Sequence, residues 1–217
     1  MSGLLPTKSV ADAHKKTLVL DLDETLVHST FMEYHKLSHI ITHETVHNYP
    51  EGYLKAVLSL IRPGAREFLE RMSKKYELVI FTAGVENYAR PVVDKLDRNN
   101  VIKHRLYRDS CTHVIGGYLK DLNSIGRSLN KVILVDNAPT SYFLQPTNGL
   151  PIETWLLDQA DCELYDVARF LEEVADVEDV RDVIDVMDIA EEHEDPYKWL
   201  LAPPHTLPLR PDDIELA

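Results

Sequence analysis

Three short apolar runs, 17–22, 77–81 and 131–135, each give way to polar residues at their carboxyl ends, and helical patterns lie between them. The first is nearly continuous in apolar residues, which predicts a strand buried on both faces. Residues 63–75 read as a helix, with Pro63 in its first turn and Ala65, Phe68, Leu69 and Met72 on one side. A second helix is predicted over 85–96 from Val85, Tyr88, Ala89, Val92, Val93 and Leu96. Pro91 interrupts that stripe, so a kink or restart is expected there. Strands alternating with helices specify an α/β domain with a mainly parallel sheet. Such sheets bind ligands beyond the carboxyl ends of their strands. The residues at those ends are Asp21 and Asp23, then Thr82, then Asp136 and Asn137, and together they form a candidate site.

The stretch Asp21-Leu22-Asp23-Glu24-Thr25-Leu26-Val27-His28-Ser29 carries the most chemistry. If it stays extended, Asp21 and Asp23 point the same way while Leu22 turns into the core. Two carboxylates that close raise each other's pKa unless a cation sits between them. The arrangement suits metal-assisted phosphoryl transfer, although a bare Asp-x-Asp taken alone also fits a solvated turn after a strand.

Residues 31–61 break the alternation. Segments 38–45 and 53–60 are predicted to pair around 48–52 as a β-hairpin inserted beside the end of the first strand. His35, His39, His43 and His47 recur at intervals of four. On a helix they could chelate zinc, but a four-residue interval also keeps one face of a strand, so a solvated row is the expectation. Helical patterns return over 163–174 and 177–189, and beyond Glu191 the chain turns acidic and then rich in proline.

The 217 residues suffice for one well-buried domain with an appendage. Cys111 and Cys162 are too few for a disulfide framework, which points to a reducing, intracellular compartment, nuclear or cytoplasmic. No pattern around Cys111 supplies an activating base for a nucleophilic thiolate. No leader is expected from the first residues, and no window approaches the roughly 20 apolar residues of a membrane span. The net charge of −13 argues against direct nucleic-acid binding. That charge is uneven: residues 158–217 carry −15 and residues 1–157 carry +2, so an anion site can exist within an acidic molecule.

With these positions in line, the sequence resembles the haloacid dehalogenase superfamily, and within it the small C-terminal-domain phosphatases. The resemblance rests on the stretch from Asp21 to Ser29, on Phe81-Thr82-Ala83-Gly84, on Gly117-Tyr118-Leu119-Lys120-Asp121-Leu122 and on Val135-Asp136-Asn137-Ala138-Pro139. It implies a Rossmann-like parallel sheet flanked by helices, with the small insertion following the first motif. The implied organisation is an N-terminal extension over 1–14, a phosphatase domain over 15–185 and an acidic, proline-rich tail over 186–217.

The resemblance also implies hydrolysis of phosphoserine or phosphothreonine in a protein, such as the RNA polymerase II C-terminal domain or another Ser-Pro-containing chain. Asp21 is then the nucleophile that forms an aspartyl-phosphate, and Asp23 the general acid and base. Thr82 and Lys120 hold the phosphoryl oxygens, and Asp136 orients Lys120. Mg2+ is the implied cofactor, held by Asp21, the Asp23 carbonyl and Asn137. Arg108 is similar to a family position near the phosphopeptide. Phe31, with Val57, Val85 and Tyr88 as companions, matches an apolar pocket for a residue next to the phosphoserine. The insertion departs most from the family pattern, with Ile61 where a basic residue is usual before Arg62-Pro63, and Ala138 stands in place of a serine. A small-molecule phosphatase of the same superfamily and a non-catalytic phosphopeptide-binding domain remain the alternatives, and oligomeric state is left open.

Overall fold

A computed structural model of the protein describes residues 3–33, 45–48 and 55–184. The tail over 186–217 and three of the histidines, His35, His39 and His43, lie outside the described residues.

Strand β1, Lys16–Leu20, is buried at every residue. It runs straight into the acidic motif, after which β2 starts at once over Val27–Glu33. The insertion adds β3, Thr45–Asn48, and β4, Lys55–Ile61. Helix α1, Ala65–Ser73, buries Ala65, Phe68, Leu69 and Met72, the four positions predicted from its periodicity. Gly64, in the left-handed conformation at φ 77°, lets the chain turn from the insertion into that helix.

Strand β5, Tyr76–Phe81, is again fully buried. Helix α2, Glu86–Leu96, continues through Pro91, so the expected restart does not occur. Pro91 costs the helix one backbone bond, and burial of Ala89, Val92, Val93 and Leu96 holds the helix together across it. Then come β6, Ile102–Leu106, and the short hairpin of β7, Thr112–Val114, and β8, Gly117–Leu119. Strands β9, Val132–Asp136, and β10, Gly149–Pro151, precede α3, Glu163–Val174, and α4, Arg181–Ile184.

The main sheet has the order β10-β9-β1-β5-β6, and every pairing in it is parallel. Strand β1 lies at the centre, with Leu20 in register with Ile80 on one side and Val135 on the other. The chain departs from β1 toward β5 and later returns on the opposite flank to β9, which makes the carboxyl end of β1 a topological switch point. One face of the sheet presents Leu18, Leu20, Leu78, Ile80, Ile133 and Val135 to the apolar sides of α1, α2 and α3. The opposite face, with Val19, Val79, Phe81, Val132 and Leu134, is closed by Leu5, Leu122, Ile125 and Tyr142 from the N-terminal segment and short 3-10 turns.

The insertion is larger than a hairpin. Strands β2, β4 and β3 form an antiparallel three-stranded sheet with β4 in the middle, pairing Val27 with Ile61 and Thr45 with Leu60. Its first strand grows directly out of the acidic motif. Among the described residues no helix is long and apolar enough to cross a membrane.

Candidate active site

The parallel register sets the site. Asp21 follows the last residue of β1, and its amide continues the ladder by donating to the Val135 carbonyl at 3.0 Å. Thr82 follows β5 in the same way, donating from its amide to the Leu106 carbonyl at 3.0 Å. Asp136 ends β9. Lys120 follows β8 and is fixed by a bond from its amide to the Ser141 carbonyl at 2.9 Å. Strand ends far apart in the chain are thereby brought to one edge. The side chains of Asp21, Asp23, Thr82, Tyr88, Arg108, Lys120, Asp136 and Asn137 all line a cleft of about 390 Å³ there.

At the bottom of the cleft, the Lys120 ammonium donates to Asp21 Oδ1 and to Asp136 Oδ2, each at 2.5 Å. All three residues are at most 7% exposed. Burial drives the Asp21 carboxyl up to about 7, with Lys120 opposing the shift and Asp136 and Asp23 adding to it. Burial alone would lower the Lys120 ammonium, but Asp136 and Asp21 outweigh it and hold the group firmly protonated. Asp136 Oδ1 accepts from the Ala138 amide at 2.8 Å, which locks the carboxylate that orients Lys120. The Thr82 hydroxyl oxygen accepts from the Gly84 amide at 2.9 Å.

The donors available to a metal are all oxygens. Among the described residues Asp21 Oδ2 has no hydrogen-bond partner, since Lys120 engages only Oδ1. The Asn137 amide is oriented by Thr25, whose hydroxyl donates to Asn137 Oδ1 at 3.1 Å, and by Thr154, which accepts from Asn137 Nδ2 at 3.1 Å. Carboxylate, amide and carbonyl oxygens suit Mg2+ better than zinc. No group of three or more His, Cys, Asp or Glu side chains able to hold a metal occurs among the described residues.

Arg108 stands on the rim. Its Nε donates to the Ala83 carbonyl at 2.6 Å, and its guanidinium lies 5.0 Å from the centre of the Tyr118 ring. The apolar companions part ways. Val57 is buried in the insertion sheet, paired through the backbone with Phe31 and Asn48. Val85 is half-buried just before α2 and lies outside the cleft walls. Phe31 occupies β2, and its side chain is outside the described part. Tyr88 does reach the cleft, by its polar end: its hydroxyl donates to Asp23 Oδ1. Burial raises the Cys111 thiol to about 11, so it stays protonated beside the site.

Several participants were not read from the sequence. Ser29, Thr25, Tyr118 and Thr154 line the cleft or brace its groups. The first three lie inside motifs whose other members were assigned, and that proximity was the available signal. A larger cavity of about 590 Å³ lies at the amino edge of the sheet, lined in part by Lys8, Lys15, Arg127 and Lys131. None of the candidate catalytic residues faces it.

A family model described as NLI interacting factor-like phosphatase matches residues 16–181. Among curated proteins, the chain is 43% identical over 174 residues to Phosphatase Herzog of Drosophila melanogaster, covering 80% of this chain and 48% of that one. It is 46% identical over 169 residues to the human CTD small phosphatase-like protein, covering 78% and 59%. The chain thus spans about half the length of these relatives. Among solved structures, fission yeast RNA polymerase II CTD phosphatase Fcp1-R271A bound to beryllium fluoride superposes with a TM-score of 0.66 at 16% identity, covering 80% of this chain and 71% of that one. At that identity the likeness speaks for the fold alone. The extent of the family match and the geometry of the cleft lead to one assignment: this chain belongs to the NLI interacting factor-like phosphatase family.

Proposed function

We propose that this protein is a Mg2+-dependent phosphoprotein phosphatase that hydrolyses phosphoserine or phosphothreonine through an aspartyl-phosphate on Asp21. The observation that carries the reading is the Lys120 ammonium shared at 2.5 Å between Asp21 and Asp136 at the floor of a cleft. A phosphomonoester dianion repels an anionic nucleophile, so the site must position the two and neutralise charge. An Asp21 oxygen attacks phosphorus as the bond to the serine oxygen breaks. Asp23 gives its proton to that departing oxygen, then takes one from the water that cleaves the aspartyl-phosphate. Lys120 and Thr82 hold the phosphoryl oxygens while charge spreads over them. Asp21, the Asp23 carbonyl and Asn137 would hold Mg2+, which when bound offsets the repulsion between nucleophile and substrate.

A protein substrate fits better than a metabolite because, among the described residues, the cleft is flanked by the three-stranded insertion sheet with no separate cap domain to enclose a small molecule. A human relative at 41% identity is called Carboxy-terminal domain RNA polymerase II polypeptide A small phosphatase 1, which supports a phosphorylated protein segment as the substrate class. The test is release of phosphate from phosphoserine peptides with Mg2+ and with excess chelator, by the wild type and by Asp21→Asn. Turnover that needs Mg2+ and falls at least about a thousandfold in the variant is expected when the nucleophile is lost. Undiminished turnover by folded Asp21→Asn sinks the mechanism.

A further inference from the structure

A line of three hydroxyls ends on the general acid. Ser59 is fully buried at the centre of the insertion sheet, and its cross-strand partner is Ser29. Their Oγ atoms are 2.7 Å apart, and Ser29 Oγ lies 2.5 Å from the Tyr88 hydroxyl, which donates to Asp23 Oδ1. Each hydroxyl has a single proton to give. Because Tyr88 spends its proton on the carboxylate, its oxygen accepts from Ser29, and Ser29 in turn accepts from Ser59. The direction of the chain is fixed from β4 through β2 to α2 and then to Asp23.

The backbone makes room for this arrangement. A Cβ placed on Gly84 would sit 3.1 Å from the Thr82 hydroxyl oxygen and 3.2 Å from two carbons of the Tyr88 ring, tighter than ordinary contact. The Tyr88 ring also packs against the main core cluster, so its hydroxyl arrives from a fixed direction. A phenol used only as an apolar wall has no need of a buried polar line running back into a neighbouring sheet, since unpartnered hydroxyls there cost stability.

We infer that Tyr88 is a positioning residue which, held by Ser29 and Ser59, anchors the Asp23 carboxyl through Oδ1 and so orients it to pass its proton to the leaving group. The inference rests on the reading of Asp23 as the general acid. In the step it serves, an Asp21 oxygen bonds to phosphorus, the bond from phosphorus to the serine oxygen breaks, and the proton on the Asp23 carboxyl moves to that serine oxygen. Tyr88 touches neither the phosphoryl group nor the leaving oxygen, and acts through the orientation of Asp23.

Leaving-group dependence separates this role from a structural one. A serine alkoxide needs the proton as it departs, whereas p-nitrophenolate leaves without it. Since kcat/KM reports the steps up to departure, Tyr88→Phe is expected to lower kcat/KM on a phosphoserine peptide about 10- to 100-fold, within the range of general acid catalysis, and on p-nitrophenyl phosphate by no more than about threefold. Ser29→Ala, which keeps the phenol but frees its direction, shifts the same ratio in the same sense by a smaller factor. Equal losses on both substrates, or none on either, overturn the inference. Should Tyr88→Phe fail to fold, Ser29→Ala decides by the same ratio. A wild type inactive on both substrates removes the parent reading and this inference with it. An active wild type with a uniform Tyr88→Phe loss removes the inference alone.

Discussion

Replacing Lys120 by methionine keeps the length of the side chain and removes the cation that two buried carboxylates share. Asp21 and Asp136 each lie 2.5 Å from the ammonium, and Lys120 is only 2% exposed, so water cannot take its place without rearrangement. Even beside that ammonium, Asp21 is pushed up to about 7 from 3.8, chiefly by burial. That is on the order of 4 kcal/mol of native-state opposition to its charge. Without the ammonium the opposition grows, and breaking a buried pair by removing one partner costs about 3–5 kcal/mol. The sign follows from the direction of the shift. A carboxyl whose folded pKa lies above its unfolded value contributes stability that is fully present below the unfolded pKa, near 4, and is lost as pH rises through the folded one.

Urea unfolding of Lys120→Met, metal-free with chelator and followed by circular dichroism, should therefore show a deficit of about 3–5 kcal/mol against wild type at pH 8. The deficit should shrink below about 2 kcal/mol at pH 5, where a proton does part of the ammonium's work. Adding Asp136→Asn should return much of the lost stability at pH 8 and none of the activity, since the charge that holds the phosphoryl oxygens is still missing. A deficit of equal size at both pH values, or one under about 1 kcal/mol at pH 8, would refute the electrostatic account of this triad.

Glu77, at the opposite edge of the sheet, gives the reverse pH dependence. Burial would raise its carboxyl, but hydrogen bonds from Arg127 and Thr17 and the charges of Arg127 and Lys8 pull it down to about 2 from 4.5. Its contribution is present above pH 4.5 and lost as pH falls through 2, so Glu77→Gln should cost on the order of 3 kcal/mol at pH 7 and less than half of that at pH 3, by denaturant unfolding. Its kcat/KM on a phosphopeptide should stay within about twofold of wild type, because the cluster stands away from the cleft. Asp97 accepts from the amides of Val101 at 2.8 Å and Ile102 at 2.9 Å where α2 hands over to β6. Asp97→Ala leaves those amides without an acceptor and should cost about 1–3 kcal/mol in a thermal or urea melt, with KM unchanged.

The strands that carry the chemistry were legible because β1, β5 and β9 are buried on both faces and read as continuous apolar runs. Edge strand β6 was not, since Lys103, His104 and Arg105 fill its middle and only Ile102 and Leu106 are buried. Strand β2 was hidden for another reason: His28, Ser29 and Thr30 look like the end of a loop motif, and their strand character comes from pairing with Leu60, Ser59 and Leu58. Lys120 follows antiparallel β8 and was signalled by the family motif alone, whereas convergence of Asp21, Thr82, Asp136 and Asn137 could be expected from the rule that parallel strands present their carboxyl ends together. The tie between Tyr88 and Asp23 could not. The helical period of α2 marks Tyr88 as part of an apolar stripe, and the partners of its hydroxyl come from a sheet whose register the sequence leaves open.

The place of β1 at the centre of the sheet has a consequence for how the protein reaches its working state. Both neighbours of β1 come from distant parts of the chain, Tyr76–Phe81 and Val132–Asp136, and parallel pairing at such separations is slow because loop closure precedes any reward. Asp21 directly follows β1, the first strand of the described residues, while the Lys120 ammonium that it meets lies 99 residues further on and the Asp136 carboxylate that holds that ammonium comes later still. On the proposed mechanism, a nascent or partly folded chain carries Asp21 without Lys120 and stays silent until β9, which ends in Asp136, has docked.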